Sequence, residues 1–313
     1  MKTFTSYKIE EQHAGLPVEA YLKEILGYSG RKIQKLTRKK GILLNKRSVF
    51  LQKNLKTGDL LQVAVLEDAS YGVQPEAGGI DILYEDEYLL VLNKPPYQLV
   101  HPAGHTTHGT LANHLAYHWQ QQGLLYTLRP IHRLDRDTSG CIVFAKSAHS
   151  QFKLEEQLKA RQISRLYQAC VTGLVQPPQG IITAGIAVHP HRPNRRIVSD
   201  QGESAITHYR TLQQFPVATL LELELETGRT HQIRLHLAHL GHPIIGDAMY
   251  GKPSPFMPRQ ALHAVSVTFS TLGDNRRITV QAPLPTDFRQ LLDHCDLTQT
   301  NRTKQKLIEI NSN

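Results

Sequence analysis

The stretch His132-Arg133-Leu134-Asp135-Arg136-Asp137-Thr138-Ser139-Gly140 sets a carboxylate between two arginines, just before a Ser-Gly turn and the apolar run Cys141-Ile142-Val143-Phe144-Ala145. An acid on a loop at the mouth of a buried strand can be reached by a ligand while a rigid element holds it. Flanking guanidiniums keep such an acid ionised and can also grip phosphates. A nucleophilic or basic carboxylate in that company points to chemistry on a nucleic acid. On its own, an Arg-x-Asp sequence is equally a turn Asp paired with a neighbouring Arg, so the surrounding chain has to decide.

The elements that would position this loop alternate short strands and helices from Ile80 onward. Ile80–Tyr84 and Tyr88–Leu92 read as strands around Glu85-Asp86-Glu87, and Thr110–Gln121 and Ser150–Ala160 read as helices. Leu221, Leu223 and Leu225 alternate with Glu222, Glu224 and Glu226, the pattern of a strand with one apolar and one wet face. Ile233, Leu237 and Leu240 return to helical spacing. Strands joined mainly through hairpins predict an α+β domain, with flanking helices on a mixed, mostly antiparallel central sheet.

Charge is concentrated at the other end. Tyr28 to Arg47 holds eight basic residues and no acidic one, within a chain of net charge +9. Leu16–Leu26 reads as a short helix, Arg31–Lys40 as a second one started by Ser29-Gly30 and ended by Gly41, and Ile42–Leu44 and Leu60–Leu66 as strands. A helix carrying Arg31, Lys32, Lys35, Arg38 and Lys39 can lie against phosphates without reading bases, although a solvated basic face has the same composition. Residues 1–68 are therefore expected to form a small domain suited to nucleic-acid phosphates, 69–79 a Gly- and Pro-containing linker, 80–295 a larger domain carrying the Asp135 motif and 296–313 a polar tail. With 40% hydrophobic residues the chain can bury a sizeable core. It has no signal-peptide core, and no apolar run approaches membrane-spanning length. Three widely spaced cysteines suggest neither a disulfide framework nor a zinc knuckle. A soluble, cytoplasmic protein is expected. The seventeen histidines include His114 and His118 at i, i+4, and His236, His239 and His242, but neither set brings an obvious carboxylate or thiolate partner. No metal and no cofactor is expected.

Further segments interlock with the opening motif: Leu92-Asn93-Lys94-Pro95-Pro96, Val100-His101-Pro102, Arg165-Leu166-Tyr167-Gln168-Ala169, Glu226-Thr227-Gly228-Arg229-Thr230-His231-Gln232-Ile233-Arg234 and Gly241-His242-Pro243-Ile244-Ile245-Gly246-Asp247. In order and spacing these resemble the RluA family of pseudouridine synthases over roughly 80–285. The first unit resembles the S4-type RNA-binding domain through Ser29–Leu36, Gly41–Lys46 and Lys56-Thr57-Gly58-Asp59, but carries Pro17-Val18-Glu19 where that family has Arg-Leu-Asp.

The resemblance implies roles residue by residue. Asp135 matches the catalytic aspartate, Arg229 the arginine that pairs with it, and Tyr167 the active-site tyrosine that stacks on the uracil. Arg133 looks like the residue that enters the RNA stack where the base has left, with His132 beside it. Ile233 resembles the apolar residue under the uracil, and Arg234 belongs to the same substrate-binding motif. Glu203 stands where the family often has Lys, away from these positions, and the basic run His191–Arg196 suits a phosphate contact as well as a solvated loop. The implied activity is isomerisation of specific uridines to pseudouridine in structured RNA, most readily large-subunit ribosomal RNA and alternatively transfer RNA, by a monomer. Two rivals remain: an RNA-binding protein that lost catalysis, and a carboxylate hydrolase, which needs a second acid for which Asp137 is the only local candidate.

Overall fold

A computed structural model describes residues 4–65 and 70–297, so the end of the first unit, the start of the linker and most of the polar tail lie outside the described residues. The chain runs through β1 (Phe4–Lys8), α1 (Val18–Ala20, continued by a π turn over Tyr21–Ile25), α2 (Gly30–Arg38), β2 (Ile42–Leu44), β3 (Arg47–Ser48) and β4 (Leu60–Ala64). These strands form one sheet in the order β1-β4-β2-β3. Its core, including Ile9, Val18, Leu22, Ile33, Leu36 and Leu61, is separate from the cores that follow. Ser29 caps α2 by accepting from the Lys32 N–H, and Ile33 and Leu36 turn inward. Arg31, Lys35, Arg38 and Lys39 consequently face solvent, and Lys32 lies 3.5 Å over the Tyr28 ring. The unit rests on the rest of the protein at Gly27, where a β-carbon would fall within the ring of Phe152.

The second unit continues with β5 (Ile82–Glu85), β6 (Leu89–Lys94), α3 (Leu111–Gln121), β7 (Ser139–Ala145), α4 (Ala148–Lys159), β8 (Ser164–Thr172), β9 (Gln179–Thr183), β10 (Ile186–His189), β11 (Arg192–Val198), β12 (Ile206–Gln214), β13 (Ala218–Leu225), α5 (Gln232–His239), β14 (Leu262–Ser270) and β15 (Arg277–Gln281). Residues 286–297 are helical. A nine-stranded sheet runs β5-β6-β7-β14-β8-β13-β12-β9, with β15 added to β14, while β10 and β11 form a separate hairpin. Within this sheet every pairing is antiparallel except β7 with β14. The expected α+β architecture is thus observed. The sheet is covered on both faces: along β7, Ile142 and Phe144 join a core with Leu115 and Trp119 of α3, and Cys141 and Val143 join another with Leu154 of α4. On β13 the apolar face of Leu221 and Leu223 is buried, while Glu222 pairs with Arg210 and Glu224 accepts from Ser164.

The β7–β14 contact explains Gly140 in the opening motif. Its φ is +112°, and a β-carbon there would lie 2.2 Å from the Ala264 carbonyl oxygen, so only glycine lets the two strands meet directly behind the Asp135 loop. No helix among the described residues is long and apolar enough to cross a membrane.

Candidate active site

Asp135 sits at the base of a cleft of about 1050 Å³ that is also lined by Arg133, Tyr167, Arg229, His231 and Ile233. Its loop is pinned from beneath by two buried cations. Lys94, fully buried at the end of β6, donates to the carbonyls of Pro95, Gln98 and Arg136 at 2.7, 2.8 and 2.8 Å. Burial pushes its ammonium down to about 7, with the nearby Asp137 charge working against that shift. Arg259 donates to the Asp137 carbonyl at 2.9 Å and holds Asp287 through two bonds of 2.7 and 2.9 Å. Neither cation reaches a reacting group; both fix the backbone on either side of the loop turn, which closes with Thr138 N–H donating to the Asp135 carbonyl.

The partner of the Asp135 carboxylate is Arg234, whose Nη1 donates to Oδ2 at 3.1 Å. The same guanidinium forks onto Asp247 at 2.7 and 2.9 Å. Burial alone would lower the Arg234 pKa, but Asp247 and Asp135 together hold it above its usual range. Burial would raise Asp247, and the Arg234 bonds outweigh it to keep that carboxyl below its ordinary value. A planar cation with several donors can join two carboxylates in this way, as a lysine cannot. One Asp135 oxygen is thereby held, and no hydrogen bond among the described residues reaches Oδ1.

Arg229, which the resemblance pairs with Asp135, is engaged elsewhere. Its side chain is exposed, pairs with Glu203 and donates to the Ser204 carbonyl at 3.2 Å. Glu203, expected to stay away from the proposed catalytic positions, is therefore what draws Arg229 aside. The physical reason lies in the start of α5: Arg229 precedes the helix in a loop, whereas Arg234 is inside its first turn on the face buried against the sheet.

Tyr167 is buried on β8 with its side chain at the cleft floor, and burial raises its phenol above the ordinary value. Ile233 is buried and lines the same cavity. Arg133 is exposed at the rim, 3.5 Å from the Thr230 hydroxyl. His132 lies deeper: its Nε2 accepts from the Val143 N–H, its Nδ1 has no partner among the described residues, and burial, then the nearby Arg165 charge, drives its pKa down to about 3. A neutral imidazole there supports the loop and strand and adds no charge to the site. Asp137, the one local candidate for a second acid, is tied to the Arg136 guanidinium at 2.8 and 3.2 Å. The histidines that resembled ligand sets are engaged in other bonds: His114 with Gln98, His236 with Thr207 and the Ala184 carbonyl, His242 with the Thr172 carbonyl. No cluster of three or more His, Cys, Asp or Glu suited to a metal occurs among the described residues.

Lys94, Asp247 and Arg259 were not singled out as site residues from sequence. Lys94 and Asp247 lie within motifs that were recognised, and a charged residue closing the apolar run Leu89–Leu92 is itself a signal. Arg259 carries no comparable local pattern.

Comparisons with known proteins agree with this geometry. Residues 88–239 match the family model described as RNA pseudouridylate synthase. The chain is 40% identical over 285 residues to the RNA pseudouridine synthase YhcT of Bacillus subtilis, covering 90% of this chain and 94% of that one. It is 36% identical over 295 residues to the ribosomal large subunit pseudouridine synthase D of Nitrosomonas europaea, covering 91% and 86%. Among solved structures, human RNA pseudouridylate synthase domain containing 1 superposes with a TM-score of 0.55 at 25% identity, over 70% of this chain and 86% of that one. With an aspartate, a tyrosine and an arginine meeting in the cleft of such a sheet, the chain belongs to the RluA family of RNA pseudouridine synthases.

Proposed function

We propose that the substrate is a uridine in large-subunit ribosomal RNA, turned out of its stack into the Asp135 cleft, and that residues 1–68 act as an S4-like domain gripping the surrounding phosphates. The names of the relatives in Nitrosomonas europaea and Xylella fastidiosa support the ribosomal target. The exposed basic side of α2, with Arg31, Lys35, Arg38 and Lys39, supports the second part. Extruding a base costs a few kcal/mol, least in a loop or bulge, so an unpaired uridine is the expected site.

The observation that carries the reading of the chemistry is the Asp135–Arg234–Asp247 chain. It holds one oxygen of a cleft carboxylate and leaves the other for the substrate. Asp135 initiates cleavage of the bond between uracil N1 and the sugar C1′, and Arg234 supports its charge. The uracil is retained between the Tyr167 ring and Ile233 while it turns, C5 bonds to C1′, the C5 proton departs and N1 gains a proton. The product is an isomer of the substrate, and atoms and charge balance without a co-reactant. Arg133, planar and charged at the rim, fills the space in the RNA stack that the base has left.

Pseudouridines mapped at nucleotide resolution test this in RNA from cells lacking the activity, treated with wild-type protein or Asp135→Asn. A site in large-subunit RNA that appears only with wild type is expected. A site confined to transfer RNA would overturn the ribosomal target alone, the same site made by Asp135→Asn would overturn the assignment of Asp135, and no site despite tight binding would leave an RNA-binding protein that has lost catalysis.

A further inference from the structure

The β10–β11 hairpin stands apart from the main sheet, and Tyr250 lies between it and His231, the neighbour of Asp135. The hairpin tip from His191 to Asn194 is exposed, and Pro193, Asn194 and Arg196 line the cleft. Its base rests on a small apolar cluster of Ile186, Ala205, Val198, Leu235 and Tyr250 and exchanges backbone hydrogen bonds with Glu203, a support much smaller than the core under the main sheet. Arg192 presents its charge to solvent beside the rim, where an RNA phosphodiester would pass.

Tyr250 meets both sides. From the hairpin, its hydroxyl accepts the Arg196 N–H at 2.8 Å, Arg195 donates to the neighbouring Met249 carbonyl, and the Arg195 guanidinium lies 5.8 Å from the Tyr250 ring. From the site, Asp247 Oδ1 accepts the Tyr250 N–H at 3.1 Å, and the Arg234 guanidinium lies 5.3 Å from the centre of the Tyr250 ring. Having accepted from Arg196, the hydroxyl directs its own proton to His231 Nδ1, 3.0 Å away. Burial holds His231 below its ordinary pKa, so the ring is neutral and its remaining proton is on Nε2. That nitrogen is 4.0 Å from Asp135 Oδ2, just beyond hydrogen-bond length. His231 is also held at φ +58°, a left-handed conformation that a non-glycine residue keeps only where the surroundings enforce it.

We propose that Tyr250 is a positioning residue that couples the seating of RNA phosphates on the β10–β11 hairpin to the orientation of His231 and Asp135. Inward movement of the hairpin carries the Arg196 N–H and the Tyr250 hydroxyl toward the site and closes the His231–Asp135 gap. Both Asp135 contacts then fall on Oδ2, and Oδ1 is fixed toward the sugar. The coupling rests on the pseudouridine synthase reading: it makes orientation of the nucleophile depend on an engaged RNA backbone.

The test compares four full-length proteins: wild type, Tyr250→Phe, the hairpin variant Arg192→Ala/Arg196→Ala, and their combination. Each is measured for RNA affinity and for the single-turnover rate at saturating RNA, using the transcript that wild type modifies. Tyr250→Phe is expected to bind RNA within twofold of wild type and to react about tenfold more slowly. The hairpin variant is expected to weaken binding equally in both backgrounds, and to slow the reaction when Tyr250 is present but not when it is Phe. A wild-type rate for Tyr250→Phe, or rate effects that multiply independently, would overturn the coupling. If Tyr250→Phe does not fold, His231→Asn cuts the same link beyond the hydroxyl and is read by the same criteria. Failure of wild type to modify any RNA would instead strike the functional reading beneath it.

Discussion

Replacing Arg234 by Met, and separately Arg229 by Met, discriminates between the arginine bonded to Asp135 in the structure and the one that the family resemblance pairs with it. Arg234 is 7% exposed and makes two bonds to Asp247, itself 1% exposed, and one to Asp135. Removing one member of a buried ion pair strands the other, at about 3–5 kcal/mol. For a domain of this size that corresponds to a fall of roughly 6–20 °C in Tm. The reaction should slow by about 100-fold or more, the usual effect of removing a charge donor from an active site. Arg229 pairs with a Glu203 side chain that is 70% exposed, a surface interaction of about 0–1 kcal/mol, so Arg229→Met should keep its Tm within a few degrees. Its defect should fall on RNA affinity. Calorimetry and single-turnover kinetics at saturating RNA measure both quantities. Adding Asp247→Asn to Arg234→Met neutralises the stranded acid and should recover much of the stability but none of the rate, because Asp135 still lacks its cation. If Arg229→Met loses more single-turnover rate than Arg234→Met while remaining stable, Arg229 becomes the partner of Asp135 once RNA is bound, and the reasoning from this geometry fails.

Lys94→Met leaves the carbonyls of Pro95, Gln98 and Arg136 without their donor, at about 2–5 kcal/mol in denaturant titrations, and should reduce turnover more than RNA binding; an unaltered midpoint would show that the loop does not depend on it. Stability should fall as pH drops below about 6.5. His132 and His263, held by burial at about 3 and 4, stay neutral in the folded state while the unfolded chain takes up protons, so by pH 4.5 the two together remove roughly 5 kcal/mol. His263→Gln should then cut that pH-dependent loss by about half, and an unchanged loss would exclude His263 as its source. Deleting residues 1–68 should weaken RNA binding and make its salt dependence shallower by about 0.9 or less per lost phosphate contact, with the single-turnover rate retained; an unchanged salt slope would remove the S4-like assignment.

The pattern of these residues shows why some of the site could be read from sequence and some could not. Asp135, Tyr167 and Ile233 each lie within a short motif that carries the family resemblance, so their gathering in one cleft was legible from those motifs. The choice between Arg229 and Arg234 was not. Both lie near the start of α5, and which of them faces inward depends on where the helix begins and on Asp247, 13 residues beyond Arg234. Glu203 decides the matter from a different loop, and no local pattern links it to Arg229. The parallel contact of β7 with β14 is still more remote: Gly140 reads as an ordinary turn glycine until Ala264, over a hundred residues later, is seen to need the space. Tyr250 follows the same rule, since its partner Arg196 lies 54 residues away on a hairpin whose sequence suggested only a basic loop. Chemistry concentrated within one motif is visible along the chain, whereas the contacts that aim it pair residues distant in sequence. Under the proposed coupling, the aiming contacts are where substrate engagement controls the reaction, because they run from Asp135 by way of His231 and Tyr250 to the exposed hairpin.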